Sequence, residues 1–130
     1  MINTTNATNT TNNSVRKYDI HERIYKFIID VVKLVNSLPK TPSNLVIIGQ
    51  ILRSVTSMGA NDQEADGTLT KKDFIHTYTI VRKEGKETNF WLRLISETNM
   101  SSINQNAEKA LDEGTQIVAI LSSIINKTRK

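Results

Sequence analysis

Two sets of residues in this chain carry side chains that can do chemistry. In the first, Arg53, Ser57, Asn61 and Glu64 recur about one helical turn apart, so a helix places them on one face. In the second, Glu84 and Glu87 stand three residues apart on the apolar flank of a later amphipathic stretch. If the two flanks meet, a guanidinium, a hydroxyl, an amide and several carboxylates come together within or beside the core. Such a set can serve as an acid–base or metal site. It can equally form a network that fixes helix register or a subunit contact, because buried charges persist only when paired and hydrogen-bonded. We take the second reading as the expectation. Asn61, Asp62, Glu64 and Asp66 then pose one question together, because they fall where the apolar stripe of their helix should continue.

Metal and nucleophilic chemistry find little support. A di-iron bundle needs two Glu-x-x-His pairs and two further carboxylates, all facing inward. The chain has two histidines. His21 stands near the start of the first helical segment, and His76 follows Asp73 by three residues but falls on a basic, outward face. There is no G-x-S-x-G, no spacing that supports a Ser–His–Asp arrangement and no glycine-rich phosphate loop. No catalytic, cofactor-binding or metal-ligating residue is assigned.

A third set points to binding. At 100° steps Lys72, His76, Lys83, Lys86 and Arg93 gather on one side of a helix, with Phe90 among them. Cations in a row can neutralise phosphates, and an aromatic ring between them can stack a base. Lysine and arginine also decorate ordinary solvated helix faces. Trp91 lies at the core edge and reads first as a packing residue; with Tyr18, Phe90 and Leu94 it can also form an oligomer contact.

The elements that must position these residues are four amphipathic helices. The first runs from about Tyr18 to Ser37, with Ile20, Ile24, Phe27, Ile28, Val31, Leu34, Val35 and Leu38 at helical spacing. Leu38-Pro39 stops it. Thr41-Pro42 restarts the chain as an N-cap followed by proline at the first helical position. The second helix runs to about Asp66, with Leu45, Ile48, Leu52, Val55 and Gly59 as its stripe and Ile47, Ile51 and Met58 beside it. Gly67 ends it, and Thr70 with Asp73 opens the third, from Lys71 to Thr98. Ser101 or Ser102 caps the fourth, which runs to about Lys127. Gly85 and Gly114 lie on core stripes at a cost of about 1 kcal/mol each against alanine, which fits close helix–helix approach.

Four such helices with short connections predict an all-α, up-down-up-down antiparallel four-helix bundle. The bundle spans residues 17–127, with a basic C-terminal tail at 128–130. Residues 1–13, MINTTNATNTTNN, cannot bury enough apolar area to offset their ordering entropy, so residues 1–16 read as a disordered tail. The 130 residues fit one domain, and the composition, 38% hydrophobic and 23% charged, is that of a globular protein. The absence of cysteine excludes disulfides, Cys-ligated metals and thiol catalysis and fits a cytoplasmic setting. A net charge of +4 permits contact with nucleic acid or an acidic protein. No apolar run reaches membrane-spanning length.

The runs "SVTSMGANDQEADGTLTKKDFI" and "IVRKEGKETNFWLRLI" resemble the signature of the small bacterial four-helix-bundle proteins first found in intervening sequences of 23S ribosomal RNA genes. Thr56, Ser57, Met58, Gly59, Ala60, Asn61, Glu64 and Ala65 fit its first motif. Lys72, Asp73, Phe74 and Ile75 fit the second, and Lys83, Glu84, Glu87, Thr88, Trp91, Leu92, Arg93 and Leu94 the third. The resemblance covers residues 17 to 125. Gly85 departs from it, standing where the pattern has alanine, as do residues 66–69. It implies a bundle that assembles into rings, commonly pentamers, without established catalytic activity. A distant relative, the accessory protein of diversity-generating retroelements, binds a reverse transcriptase and its RNA. RNA or a ribonucleoprotein is therefore the partner class the resemblance implies, with a reverse transcriptase or a purely protein scaffold as alternatives. It also places Asn61, Glu64, Glu84 and Glu87 in the signature, where the second and third helices should face each other.

Overall fold

The computed structural model describes residues 12–130, with side chains from Ile20 onward. It contains four α-helices: α1 Asn12–Asn36, α2 Pro42–Ala65, α3 Lys71–Thr98 and α4 Ser101–Arg129. Each helix packs on its sequence neighbours, and α4 closes the ring on α1. Pairs across the three sequential seams run in opposite directions. His21 meets Asp62 while Ile28 faces Gly59, and Ser54 meets Thr88 while Tyr78 meets Asp62. On the next seam Arg82 meets Ser122 while Asn89 faces Gly114. These are antiparallel neighbours, as the periodicity predicts for a four-helix bundle.

Capping follows local chemistry. Thr41 Oγ1 accepts the amide of Asn44 at 3.2 Å, and Pro42 occupies the first position of α2. Thr70 Oγ1 accepts the amide of Asp73 at 3.0 Å. Three expected details change. Helix α1 begins at Asn12, ahead of Tyr18, so residues 12–16 of the expected tail are helical, whereas residues 1–11 lie outside the described residues. The cost of polar residues there is a few tenths of a kcal/mol each, small beside the helix they extend. Met100, not Ser101 or Ser102, is the N-cap of α4, and its side chain makes no capping bond. Gly67 closes α2 without a left-handed conformation: its amide donates to Glu64 O at 3.0 Å in a tightened last turn.

The core is built from one line per helix. Helix α1 contributes Ile20, Ile24, Phe27, Val31 and Val35, and α4 contributes Ala107, Ile117, Leu121 and Ile125. On α3 the buried line is Tyr78, Val81, Leu92 and Ile95. On α2 it is Ile47, Ile51, Val55 and Met58, so the expected stripe is centred too far round the helix. Leu45 is 54% exposed, and Ile48 and Leu52 are only partly buried. The two core glycines do mark close approach. A Cβ on Gly85 would lie 3.1 Å from Met58 Cε and 3.2 Å from Val118 Cγ2, and one on Gly114 would lie 2.0 Å from Asn89 Oδ1.

Candidate functional site

The antiparallel seam between α2 and α3 assembles most of the expected polar network. Asn61 Nδ2 donates to Ser57 Oγ at 3.3 Å, and Ser57 Oγ donates to Glu84 Oε2 at 3.2 Å. Arg53 Nη1 lies 3.8 Å from Glu84 Oε1, and Arg53 Nη2 donates to Glu87 Oε2. Trp91 Nε1 donates to the same Glu87 oxygen at 3.1 Å. Glu84 Oε1 is buried without a hydrogen bond, so the guanidinium at 3.8 Å offsets its charge only by Coulomb attraction. Glu64 does not join this chain. It is exposed, and its side chain makes no hydrogen bond or ion pair among the described residues. The row on α3 that supplies Trp91, Glu87 and Glu84 continues towards its N-terminus with Ile80, which offers no donor.

Trp91 is partly buried at the edge of the core, its indole anchored by Glu87, and the exposed ring of Phe90 meets it edge-on at 4.9 Å. Leu94 packs partly buried against the core, and the side chain of Tyr18 is outside the described set.

A second polar cluster went unread in the sequence. Asp62 is 2% exposed, and its carboxylate accepts the Tyr78 hydroxyl at 2.9 Å. His21 Nδ1 stands 3.0 Å from both Asp62 oxygens, and its Nε2 lies 3.6 Å from Asp66 Oδ1. A carboxylate only accepts, so Nδ1 carries the proton of the His21–Asp62 bond. The cluster ties α1, α2 and α3 together. Burial, reinforced by the Asp62 charge and the hydrogen bond to it, pushes the Tyr78 hydroxyl well above its ordinary pKa of 10.0. The 3.6 spacing already placed Asp62 and Tyr78 on buried faces. Only the fold reveals that they share a partner in His21.

Both clusters bridge neighbouring helices through hydrogen bonds and ion pairs. Among the described residues, no group of three or more His, Cys, Asp or Glu side chains could hold a metal ion. His76 is exposed on α3 with no such companions.

The basic set lies as the periodicity predicts. Lys72, His76, Lys83, Lys86 and Arg93 are all exposed along the outer side of α3, with Phe90 58% exposed between them. Lys72, His76, Lys83 and Lys86 make no hydrogen bond or ion pair among the described residues. Arg93 Nε donates to Glu97 Oε2 at 3.1 Å. From Lys72 to Arg93 the row extends about 30 Å along the axis.

With this geometry in place, comparison with known proteins is decisive on family. The profile of the 23S rRNA-intervening sequence proteins matches residues 16–123. The chain belongs to that family. A crystal structure of a protein with unknown function from the S23 ribosomal protein family of Bacteroides thetaiotaomicron superposes with a TM-score of 0.73 at 34% identity. The alignment covers 82% of this chain and 97% of that one. No curated protein matches. The matched span of this intervening-sequence family member takes in the α2–α3 network, the Asp62 cluster and the basic row together. No helix among the described residues is long and apolar enough to cross a membrane.

Proposed function

We propose that this family member is a non-enzymatic, oligomeric binding protein of the cytoplasm that contacts RNA or a ribonucleoprotein through the outer face of α3. The observation that carries this is the exposed row of Lys72, His76, Lys83, Lys86 and Arg93, in which the three lysine side chains have no partner among the described residues. Unpaired cations on a rigid helix can neutralise phosphates without first breaking internal ion pairs. Phe90, exposed in their midst, can stack an unpaired base. The family's name points to the same partner class. Exposed Leu45, Val46 and Phe90 supply apolar surface for self-association, the ring assembly that the family resemblance implies. A retroelement accessory role, with a reverse transcriptase as the protein partner, would use the same basic face.

The test is a gel shift with structured RNA across a salt series. The wild type is expected to bind at low salt and release as salt rises. Replacing Lys83, Lys86 and Arg93 by alanine together should lower the slope of log K against log salt by about 2, at roughly 0.7 for each single-strand phosphate contact. No shift by the wild type at low salt refutes the reading and leaves a protein scaffold in its place.

A further inference from the structure

Across the bundle from the α2–α3 seam, helices α1 and α4 leave an open cleft of about 650 Å³. Phe27, Leu34 and Ala110 line its floor. Its walls carry Lys26, Asp30 and Lys33 from α1, and Lys109 and Glu113 from α4. The volume falls within the range of small-ligand sites.

The charges decide what such a cleft takes. Glu113 is held by Arg23, whose Nε and Nη2 donate to its two carboxylate oxygens at 3.0 and 2.7 Å. That bidentate pair removes Glu113 as a repulsive charge. Lys26, Lys33, Lys109 and Asp30 are exposed and make no hydrogen bond or ion pair among the described residues. Three unpaired lysines against one unpaired carboxylate leave the cleft positive.

The lysines are also spaced. Lys26 and Lys33 lie two turns apart on α1, about 10 Å along the axis. The antiparallel register, shown by Arg23 with Gln116 and by Phe27 against Gly114, brings Lys109 opposite the stretch between them. The cations therefore alternate from wall to wall over about 10 Å of the axis. A single point anion has no use for such a line, whereas consecutive phosphates of an unstacked strand match it. The apolar floor suits sugar and base edges, because Phe27 is too buried to offer a stacking face.

We propose that the α1–α4 cleft is a second RNA contact, a track for the phosphodiester backbone of a short single strand held by Lys26, Lys109 and Lys33. This rests on the RNA-binding reading above but uses different residues on a different face.

The experiment is fluorescence anisotropy of labelled hexauridylate at low salt with the full chain. The same protein is also tested against structured RNA. The wild type is expected to bind the hexamer. Lys26→Gln, Lys33→Gln and Lys109→Gln together should weaken that binding about tenfold or more, with the salt slope falling by about 2. Asp30→Asn should tighten it severalfold, a gain that damage to the fold would not produce. The alanine variants of Lys83, Lys86 and Arg93 should leave hexamer affinity unchanged. Hexamer binding that ignores the glutamine variants overturns the cleft proposal. So does binding of tripolyphosphate, read by calorimetry, without any binding of hexauridylate, which would mark a site for free phosphate chains. Failure of the hexamer alongside α3-dependent binding of structured RNA overturns the cleft and leaves the α3 reading standing. Failure of both RNAs overturns both.

Discussion

Asp62→Ala is expected to be among the most damaging single substitutions in this chain, although it removes neither a large side chain nor a surface contact. The carboxylate is 2% exposed and serves two donors on two other helices. Without it the Tyr78 hydroxyl, in a residue 1% exposed, loses its acceptor inside the bundle. An unsatisfied buried hydroxyl costs about 1–3 kcal/mol. The His21 side chain is 29% exposed and can turn to water, so its share is about 1 kcal/mol or less. The sum is a loss of roughly 1–4 kcal/mol, a sizeable part of the stability of an ordinary domain. Urea unfolding followed by circular dichroism measures it. The partner test is a double-mutant cycle. Tyr78→Phe removes the stranded donor, so Asp62→Ala should cost about 1–2 kcal/mol less in that background. If Asp62→Ala costs under about 0.5 kcal/mol, or if the two losses simply add, the Asp62–Tyr78 bond does not hold the seam.

The other predictions are shorter. A Cβ on Gly49 would have nothing within 4 Å, whereas a Cβ on Gly114 would meet Asn89 Oδ1 at 2.0 Å and Phe27 Cζ at 3.0 Å. Gly49→Ala should therefore stabilise the helix by about 0.5–1 kcal/mol, and Gly114→Ala should destabilise by about 1–2 kcal/mol after the same helical gain; equal effects in thermal melts would refute the packing account. Glu64→Gln should leave stability within about 0.5 kcal/mol of wild type, as for a surface site without partners. Glu84→Gln should cost about 1 kcal/mol, because a neutral amide keeps a bond from Ser57 but loses the attraction to Arg53. A reversed order of the two in chemical denaturation would return Glu64 to the network.

The fold was legible because its punctuation is chemical. Pro39, the Thr41-Pro42 step and the Thr70 cap each leave a local signature, and α2 and α3 begin where those residues put them. The buried line of α2 was harder to place. Leu45, Ile48 and Leu52 are apolar residues on a flank, and averaging them with the true core line moves the apparent centre towards solvent. The polar network was half legible for a similar reason. Periodicity puts Arg53, Ser57, Asn61 and Glu64 along one side of α2, but partnership depends on what α3 presents opposite each one. The register fixed by Ser57 with Glu84 and Asp62 with Tyr78 leaves the Glu64 side chain without a partner among the described residues, a property that one helix alone does not carry. The same holds for His21, whose partner lies 41 residues away.

Register itself is what the buried polar groups supply. Along the α2–α3 seam, Asn44 pairs with Asn99, Ser54 with Thr88, Ser57 with Glu84, and Asp62 with Tyr78. Each bond adds only about 1 kcal/mol net to stability. A slide of α3 by one turn would still bury apolar surface against apolar surface, so the hydrophobic core discriminates weakly against it. The polar pairs discriminate strongly. The slide would break the Ser54–Thr88 and Asp62–Tyr78 bonds and strand the buried Tyr78 hydroxyl, whereas Ser54 and Thr88 keep the carbonyls of Ile51 and Glu84 and Asp62 keeps His21. At about 1–3 kcal/mol for the stranded hydroxyl and about 1 kcal/mol for the lost Ser54–Thr88 bond, the wrong register is disfavoured by roughly 2–4 kcal/mol. A seam fixed in this way holds Lys72, Lys83, Lys86 and Arg93 at set positions relative to α2. A row of cations that is to meet a row of phosphates gains from that fixity, because the ordering cost is met during folding instead of at the moment of binding.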